Sequence, residues 1–289
     1  MKIKYYLKEF RVHHYIKNLL IFVPLICSGK FFSSDRLLSS IFAFLSFCLI
    51  SSSIYIINDI KDIENDKKHP TKCKRPIASR IISKRDSMIC VVLLITASIA
   101  FNMLCFEIIS SVLLFLYFFL NILYSLGLKN VPLLDIAILV SGFLIRTIYG
   151  AVVTDIVISN WLYLVIISAS FYLGFGKRRS ELKRINGNET RSVIKKYSLS
   201  FLDKNMSVCM TLVFVFYALW TVDETTIAMY KNSRLIWTVP ILMIILMKYS
   251  LTVEENSDGD PVEVLLHDKG LIILSVLYLI IMFVLLYVF

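Results

Sequence analysis

Three aspartates at helical spacing are the residues of this sequence most suited to chemistry. Asp59, Asp62 and Asp66 belong to a stretch that reads NDxxDxxxD and begins at Asn58. If one helix runs through this stretch, the three carboxylates lie within about 60° of one another on a single face. Like charges this close destabilise a helix, and its C-terminal end disfavours anions. Because a divalent cation relieves the repulsion, the spacing predicts a Mg²⁺ site held by the three aspartates jointly with substrate phosphates.

A cation-rich segment follows the aspartates. Residues 67–86 contain eight Lys and Arg residues around Pro70 and Pro76, with Lys74 and Arg75 near the centre. Substrate phosphates would then bind the metal on one side and Lys and Arg side chains on the other. The alternative is a solvated face next to the membrane, in which interleaved lysines such as Lys61 pair with the acids.

A second charged cluster follows a later apolar run. The stretch from Tyr172 to Glu181 reads YLGFGKRRSE, so a helix would place Lys177, Arg178 and Glu181 on one face. Cations at the end of a membrane span are an ordinary topology signal, whereas an acid is not needed for that purpose. Two cations and one carboxylate suit a substrate that carries several phosphates and hydroxyls. Lys177 and Arg178 are therefore predicted to bind phosphate, and Glu181 to bind hydroxyls or to orient Lys177.

The composition places both clusters in a membrane protein. Of 289 residues, 57% are apolar and 18% are charged, and the mean hydropathy is +0.74, whereas soluble domains are about 45–50% apolar and about 25% charged. We therefore expect an all-α membrane protein, a single integral membrane domain over residues 1–289. The basic N-terminal lead runs to Lys17 with no cleavage site after it, which predicts a retained first span. Apolar runs predict nine transmembrane helices, at about residues 15–32, 37–59, 87–106, 108–127, 132–153, 157–176, 206–222, 235–251 and 270–289.

The distribution of basic residues predicts the orientation. With the N-terminus in the cytoplasm, 26 of the 31 Lys and Arg residues fall on the cytoplasmic side of the predicted spans, and four fall on the other side. Because Lys and Arg are enriched in cytoplasmic loops, the loops at about 60–86 and 177–205 are predicted to face the cytoplasm. The same bias explains the net charge of +10 without nucleic-acid binding.

Other metal chemistry is not indicated. The six cysteines form no CxxC pair, and the four histidines lack the i, i+4 spacing of metal ligands. A disulfide framework, a zinc site or another imidazole-held metal is therefore not expected.

Arg146 lies well inside the fifth predicted span. An unpaired cation there costs about 2.5 kcal/mol or more, so its side chain must face the protein interior. Two roles stay open: pairing with an acid or with backbone carbonyls, or contact with a substrate phosphate. Asp135, Tyr149 and Tyr124 are its candidate neighbours.

The aspartate motif also carries a family resemblance. NDxxDxxxD followed by the basic segment HPTKCKRPIAS at residues 69–79, in a nine-span apolar chain, resembles the UbiA superfamily of intramembrane prenyltransferases. In that family the first aspartate-rich motif binds Mg²⁺ and the diphosphate of an isoprenoid donor. The resemblance implies this role for Asp59, Asp62 and Asp66, with Asn58, in a helical bundle around a central cavity that faces the cytoplasm.

The second cluster resembles one branch of the superfamily. Typical members have a second aspartate-rich motif at the end of the sixth span, where this chain has KRxxEL at residues 177–182. That pattern is similar to the polyprenyl-phosphate phosphoribosyltransferases, the decaprenylphosphoryl-5-phosphoribose synthases, and so are residues 11–18, 191–202 and 260–268. The chain departs from the branch at Val12 and at His14-Tyr15, where Pro and a Gln-Trp pair are common. Asp260, followed by Pro261, also fits a helix cap.

This branch implies Mg²⁺-dependent transfer of the 5-phosphoribosyl group of phosphoribosyl pyrophosphate to a polyprenyl phosphate. The reaction would serve cell-envelope glycan synthesis at the bacterial inner membrane. Two alternatives stay open: a UbiA-type prenyltransferase with an aromatic acceptor, and a transporter of an anionic lipid or metabolite. Acceptor chain length and oligomeric state, including a homo-oligomer, also stay open. The residues implied to bind substrate are Lys17, Asn58, Lys74, Arg75, Arg146, Tyr172, Lys177, Arg178 and Glu181.

Overall fold

Every regular element that the structure describes is helical. The computed structural model describes residues 3–68, 72–105, 107–183, 193–255 and 259–288. Short 3₁₀ turns lie between several of the α-helices, and a longer 3₁₀ segment covers Val12–Phe22. The α-helices are α1 (Ile3–Glu9), α2 (Val23–Ile26), α3 (Ser34–Lys61), α4 (Ile63–Lys68), α5 (Lys84–Met103), α6 (Ile108–Leu126), α7 (Leu134–Thr154), α8 (Asn160–Lys183), α9 (Leu199–Val222), α10 (Glu224–Tyr230), α11 (Val239–Glu254), α12 (Pro261–His267) and α13 (Lys269–Tyr287).

Seven of the nine predicted spans are confirmed as helices long and apolar enough to cross a membrane. They are α3, α5, α6, α7, α9, α13 and a 21-residue segment, Arg234–Glu254, that ends with α11. The first predicted span is a shorter segment, Val12–Ile26, wound largely as a 3₁₀ helix. The sixth corresponds to α8, which has 24 residues but ends in the cations that begin at Lys177. Large apolar side chains such as Ile108 and Phe115 are exposed on the spans, as expected where helices contact lipid.

The chain forms two compact units. The first contains Met1–Leu25, Phe32–Leu128 and Ile145–Ile156, and the second contains the remaining residues. The first unit buries Phe47, Tyr117 and Tyr149 in a core built from α3, α6 and the second half of α7. A smaller cluster in the same unit packs Ile56 of α3 with apolar residues of α5 and of the 77–82 segment.

The core of the second unit is organised around α8. Tyr172 and Phe175 of α8 pack with residues of the first half of α7, of α9 and of α11. Tyr172 has no exposed surface, and its hydroxyl donates to the carbonyl oxygen of Leu246 at 2.8 Å and contacts Ser250 Oγ at 2.6 Å. These hydrogen bonds tie α8 to α11, so Tyr172 has a structural role at the same helix end that carries the second charged cluster.

A glycine allows the segment before α12 to lie directly on α8. Gly259 has a φ of +70°, and a Cβ added there would lie 2.5 Å from Cβ of Ser180 and 3.1 Å from the carbonyl oxygen of Lys177. A side chain at position 259 would therefore be strained and would also overlap the helix.

Gly259→Ala is expected to destabilise the protein by about 2 kcal/mol or more, because a left-handed backbone and a steric overlap act together. Thermal unfolding in detergent measures the loss. Ser180→Gly removes the atom that the new Cβ meets, so the double variant should lose less stability than the two single changes added together. Strictly additive losses would show that the contact with Ser180 is not the cause.

The predicted orientation can be tested by cysteine labelling in a variant that lacks the six native cysteines. Ser79 and Ser233 are exposed, whereas the neighbouring Asn232 is buried and unsuited to labelling. In intact cells an impermeant thiol reagent should label Ser233→Cys and leave Ser79→Cys unmodified until the cells are permeabilised. The reverse pattern would place residues 60–86 outside the cell.

Candidate active site

The aspartate stretch is divided between two helices. α3 ends at Lys61 because Asp62 leaves the helical range, with φ −92° and ψ 9°, and α4 begins at Ile63. Backbone hydrogen bonds continue across the break, from Asp62 N to Asn58 O at 2.9 Å and from Asp66 N to Asp62 O at 2.8 Å. The condition on which the shared face of three aspartates depended, one helix through the whole stretch, is therefore not met at Asp62.

A single arginine joins two of the three carboxylates. Nη1 of Arg75 lies 2.8 Å from Oδ1 of Asp59 and 2.7 Å from Oδ2 of Asp66. Both aspartates are buried, at 3% and 5% exposure, whereas the side chain of Arg75 is 29% exposed. Asp62 is half-buried at the junction of α3 and α4. The structure thus brings together Asp59, Asp66 and Arg75 from the predicted set.

A second arginine, which the sequence did not single out, also holds Asp59. Nη2 of Arg11 donates to both carboxylate oxygens of Asp59, at 2.7 and 3.0 Å. Its guanidinium carbon lies 4.6 Å from the centre of the Tyr55 ring, a cation–π contact. Arg11 and Arg75 together therefore offset the charges of two buried carboxylates, Asp59 and Asp66.

Glu9 adds a further acid next to Asp59. Its Oε1 accepts a hydrogen bond from Ile77 N at 3.0 Å, and its side chain is buried. Burial raises the pKa of Glu9 to about 7, and the hydrogen bond and negative charge of Asp59 act in the same direction. The Ile77 N–H and the charge of Arg11 oppose this shift.

The donor set fits a magnesium ion that is shared with a substrate. Among the described residues, no three His, Cys, Asp or Glu side chains converge as a ready-made metal cage. Mg²⁺ in phosphate-transfer sites instead takes one or two carboxylates and completes its shell with water and phosphate oxygens. Asp59 and Asp66 supply two hard oxygens, and the guanidinium nitrogen between them shows that a cation can stand there. The predicted third ligand, Asp62, stays a prediction.

The other predicted residues of the first unit differ in their exposure and contacts. Asn58 Oδ1 accepts a hydrogen bond from Ser125 Oγ, which links the end of α3 to the end of α6. Lys17 is half-buried in the first 3₁₀ segment, and Lys74 is exposed one residue before Arg75. Their contact with phosphate stays a prediction.

Arg146 packs in a buried polar pocket of the first unit. Its Nε donates to Asn18 Oδ1 at 2.7 Å, and its Nη2 donates to the Tyr117 hydroxyl at 2.9 Å. The guanidinium carbon also lies 4.9 Å from the ring centres of Phe47 and Tyr117. Arg146 therefore ties α7 to the first 3₁₀ segment and to α6, which favours the structural role over contact with a substrate phosphate. Two candidate neighbours bond elsewhere: Asp135 to Arg178 and Tyr149 to Asn102.

At the end of α8, each of three consecutive cations pairs with an acid from another element. Lys177 Nζ lies 3.2 Å from Oδ2 of Asp260, the N-cap of α12. Arg179 pairs with Asp203 of α9 and with Glu254 of α11. The predicted cap at Asp260 is confirmed, since its Oδ1 accepts from Val262 N at 3.1 Å.

Arg178, the middle cation, is completely buried. Its Nε lies 2.6 Å from Oδ2 of Asp135 in α7, which is also fully buried, and its Nη1 donates to Oε2 of Glu181. The Tyr197 hydroxyl donates to Oδ1 of Asp135 at 2.6 Å. Burial, and next the hydrogen bond to Asp135, raise the pKa of Tyr197 to about 12, so the phenol keeps its proton.

The predicted phosphate contact of Arg178 does not fit a side chain with no exposed surface. Asp135, an acid inside a predicted span, was the signal that could have revealed this pair.

Comparisons with known proteins agree with this architecture. The UbiA prenyltransferase family matches residues 21–267. The decaprenyl-phosphate phosphoribosyltransferase of Mycolicibacterium smegmatis is 33% identical in an alignment that covers 93% of this chain and 88% of the relative. The enzyme of the same name from Corynebacterium glutamicum is 32% identical over 93% of this chain and 82% of its own. A UbiA homolog from Archaeoglobus fulgidus, solved with GPP and Mg²⁺, shares the fold with a TM-score of 0.71, at 15% identity over 98% of this chain and 99% of its own. The chain therefore belongs to the UbiA prenyltransferase family and is a multi-pass membrane transferase.

Proposed function

We propose that the protein transfers the 5-phosphoribosyl group of phosphoribosyl pyrophosphate to a polyprenyl phosphate at the bacterial inner membrane, with its N-terminus in the cytoplasm. The observation that carries the proposal is the similarity, over 93% of the chain, to relatives named decaprenyl-phosphate phosphoribosyltransferase. The polar chemistry at the end of α8 supports it, because Lys177 and Glu181 offer one cation and one carboxylate where a prenyl diphosphate would need a second acidic motif.

Asp59 and Asp66, with Asp62 and Asn58, would hold Mg²⁺ on the leaving diphosphate. The metal supplies neutralisation of the charge that develops on that diphosphate. Arg11 and Arg75 both contact Asp59, and Arg75 also contacts Asp66, so both guanidinium groups are candidates for contact with a phosphate bound there. Lys17 and Lys74 are further candidates for phosphate contact.

The reaction itself is a displacement at C1 of the ribose. A phosphate oxygen of the acceptor forms the new bond to C1, and the bond from C1 to the diphosphate breaks, so that diphosphate leaves with the electron pair. The acceptor oxygen is already an anion and needs no general base. Correct placement of the two anionic reactants is the main demand on the protein.

The reaction is tested with purified protein, labelled phosphoribosyl pyrophosphate, Mg²⁺ and polyprenyl phosphate. A labelled product soluble in organic solvent is expected, and EDTA should abolish its formation.

Asp59→Asn should reduce the rate about a hundredfold or more, because the substitution removes a charged metal ligand but keeps its shape. Asp86→Asn, at an exposed acid in the first turn of α5, is the matched control. Full activity in EDTA would contradict the metal assignment. Consumption of a prenyl diphosphate with an aromatic acceptor, without a phosphoribosyl lipid, would favour the prenyltransferase alternative.

Arg75 should affect metal and diphosphate in opposite directions. Because its guanidinium lies between Asp59 and Asp66, it competes with a bare metal ion, and it gains a partner when diphosphate arrives. Arg75→Gln is expected to bind Mn²⁺ alone several-fold more tightly and diphosphate about tenfold or more weakly. Electron paramagnetic resonance of Mn²⁺ measures the affinity for the metal alone and, by titration with diphosphate, the affinity for that anion. Arg85→Gln, the same change at an exposed position, should alter neither. Weaker binding of both ions to Arg75→Gln would show that the arginine only supports the local fold.

A further inference from the structure

We infer that Asp135 and Tyr197 are positioning residues for Glu181, and that they act through the buried guanidinium of Arg178. This inference rests on the proposed function, because it assigns parts within the KRxxE cluster. The sequence treats Lys177, Arg178 and Glu181 as three substrate ligands, whereas the structure separates them by burial. The side chains of Arg178 and Asp135 are 0% exposed, and that of Glu181 is 22% exposed.

Arg178 joins the two acids through different nitrogens of one rigid group. Nε lies 2.6 Å from Oδ2 of Asp135, and Nη1 donates to Oε2 of Glu181, which lies one turn further along α8. A planar guanidinium held at two of its nitrogens has little freedom to rotate. The position of the Glu181 carboxylate is therefore set by Asp135, which lies 46 residues earlier in the chain.

Asp135 is itself fixed at both oxygens. The Tyr197 hydroxyl donates to Oδ1 at 2.6 Å, and the same hydroxyl oxygen accepts from Leu133 N at 2.6 Å. Leu133 has a left-handed backbone, with φ +68°, just before α7 begins. The segment before α9 thus reaches α7 through Tyr197, and α7 reaches α8 through Asp135.

Contact between Arg178 and a substrate phosphate would have to break this arrangement. The guanidinium would leave Asp135 in an interior without solvent, where a carboxylate that loses its cation is strongly disfavoured. Glu181 is the member of the group with exposed surface, and its carboxylate accepts hydrogen bonds. Vicinal hydroxyls, such as those of a ribose, are the ligand that this chemistry fits. Arg178 then belongs to the framework, and Lys177, which is 25% exposed, is the cation that meets phosphate.

The test compares two ligands in detergent-solubilised protein: phosphoribosyl pyrophosphate, which has ribose hydroxyls, and inorganic diphosphate, which has none. Glu181→Gln and Asp135→Asn should each weaken binding of phosphoribosyl pyrophosphate about tenfold, while the affinity for diphosphate changes by less than about twofold. Tyr197→Phe should give a smaller loss in the same direction. It removes two hydrogen bonds, the one donated to Asp135 Oδ1 and the one accepted from Leu133 N, but no charge, so it serves as the second test if Asp135→Asn does not fold.

The matched control is Asp203→Asn, the same change at an acid that pairs with the next cation, Arg179. It should leave both affinities unchanged. Combining Asp135→Asn with Glu181→Gln should weaken binding no further than Glu181→Gln alone, since one residue acts through the other.

Two results would overturn the inference. Parallel loss of affinity for both ligands in Asp135→Asn would make Arg178 a phosphate ligand. Fully additive losses in the double variant would mean that Asp135 supports the fold independently of Glu181. If the wild-type protein binds diphosphate but not phosphoribosyl pyrophosphate, the proposed function fails instead, and that outcome is recognised before any variant is made.

Discussion

The need to neutralise charge in a low-dielectric setting organises the end of α8. Lys177, Arg178 and Arg179 follow one another in the sequence, yet their acidic partners come from α7, α9, α11 and the cap of α12. Arg178 and Asp135 are both fully buried, and removing one partner of such a pair is strongly destabilising, so this pair fixes the start of α7 against α8. The pairs of Lys177 and Arg179 are partly exposed, and they make smaller contributions to the way α9, α11 and α12 meet α8.

The same constraint shapes the aspartate motif of the first unit, with a different outcome. The sequence argument treated the repulsion among Asp59, Asp62 and Asp66 as a reason for a metal. The structure relieves much of it with Arg11 and Arg75 and by ending α3 at Asp62. The two explanations are compatible, because a cation that neutralises carboxylates in the resting protein can be exchanged for a metal that arrives with its own anion.

The helices were largely predictable from sequence, and the ion pairs were not. Apolar runs of about 20 residues are a local signal, which is why α3, α5, α6, α7, α9 and α13 match predicted spans. The partner of Arg178 lies 43 residues away, and no local spacing points to it. Lys and Arg at the end of a span are also expected from the enrichment of basic residues in cytoplasmic loops. These cations alone therefore gave no reason to predict a structural role for Arg178. The interruption at Asp62 was not predicted, because the spacing of the aspartates does not show where a helix ends.

Burial separates the charges that can change partner from those that cannot. Arg11, Arg75 and Lys177 are between 23% and 29% exposed, so each side chain reaches solvent while it pairs with an acid. Arg178 has no such access. An incoming phosphate competes with a carboxylate only where the cation can turn without leaving that carboxylate dry and unpaired. An arginine that pairs with a buried carboxylate is therefore able to bind phosphate only where another cation, such as a metal ion that arrives with the substrate, takes its place beside that carboxylate. Under the proposed function, that condition leaves phosphate binding to the partly exposed cations Arg11, Arg75 and Lys177, and it places the fully buried Arg178 in the framework that positions Glu181.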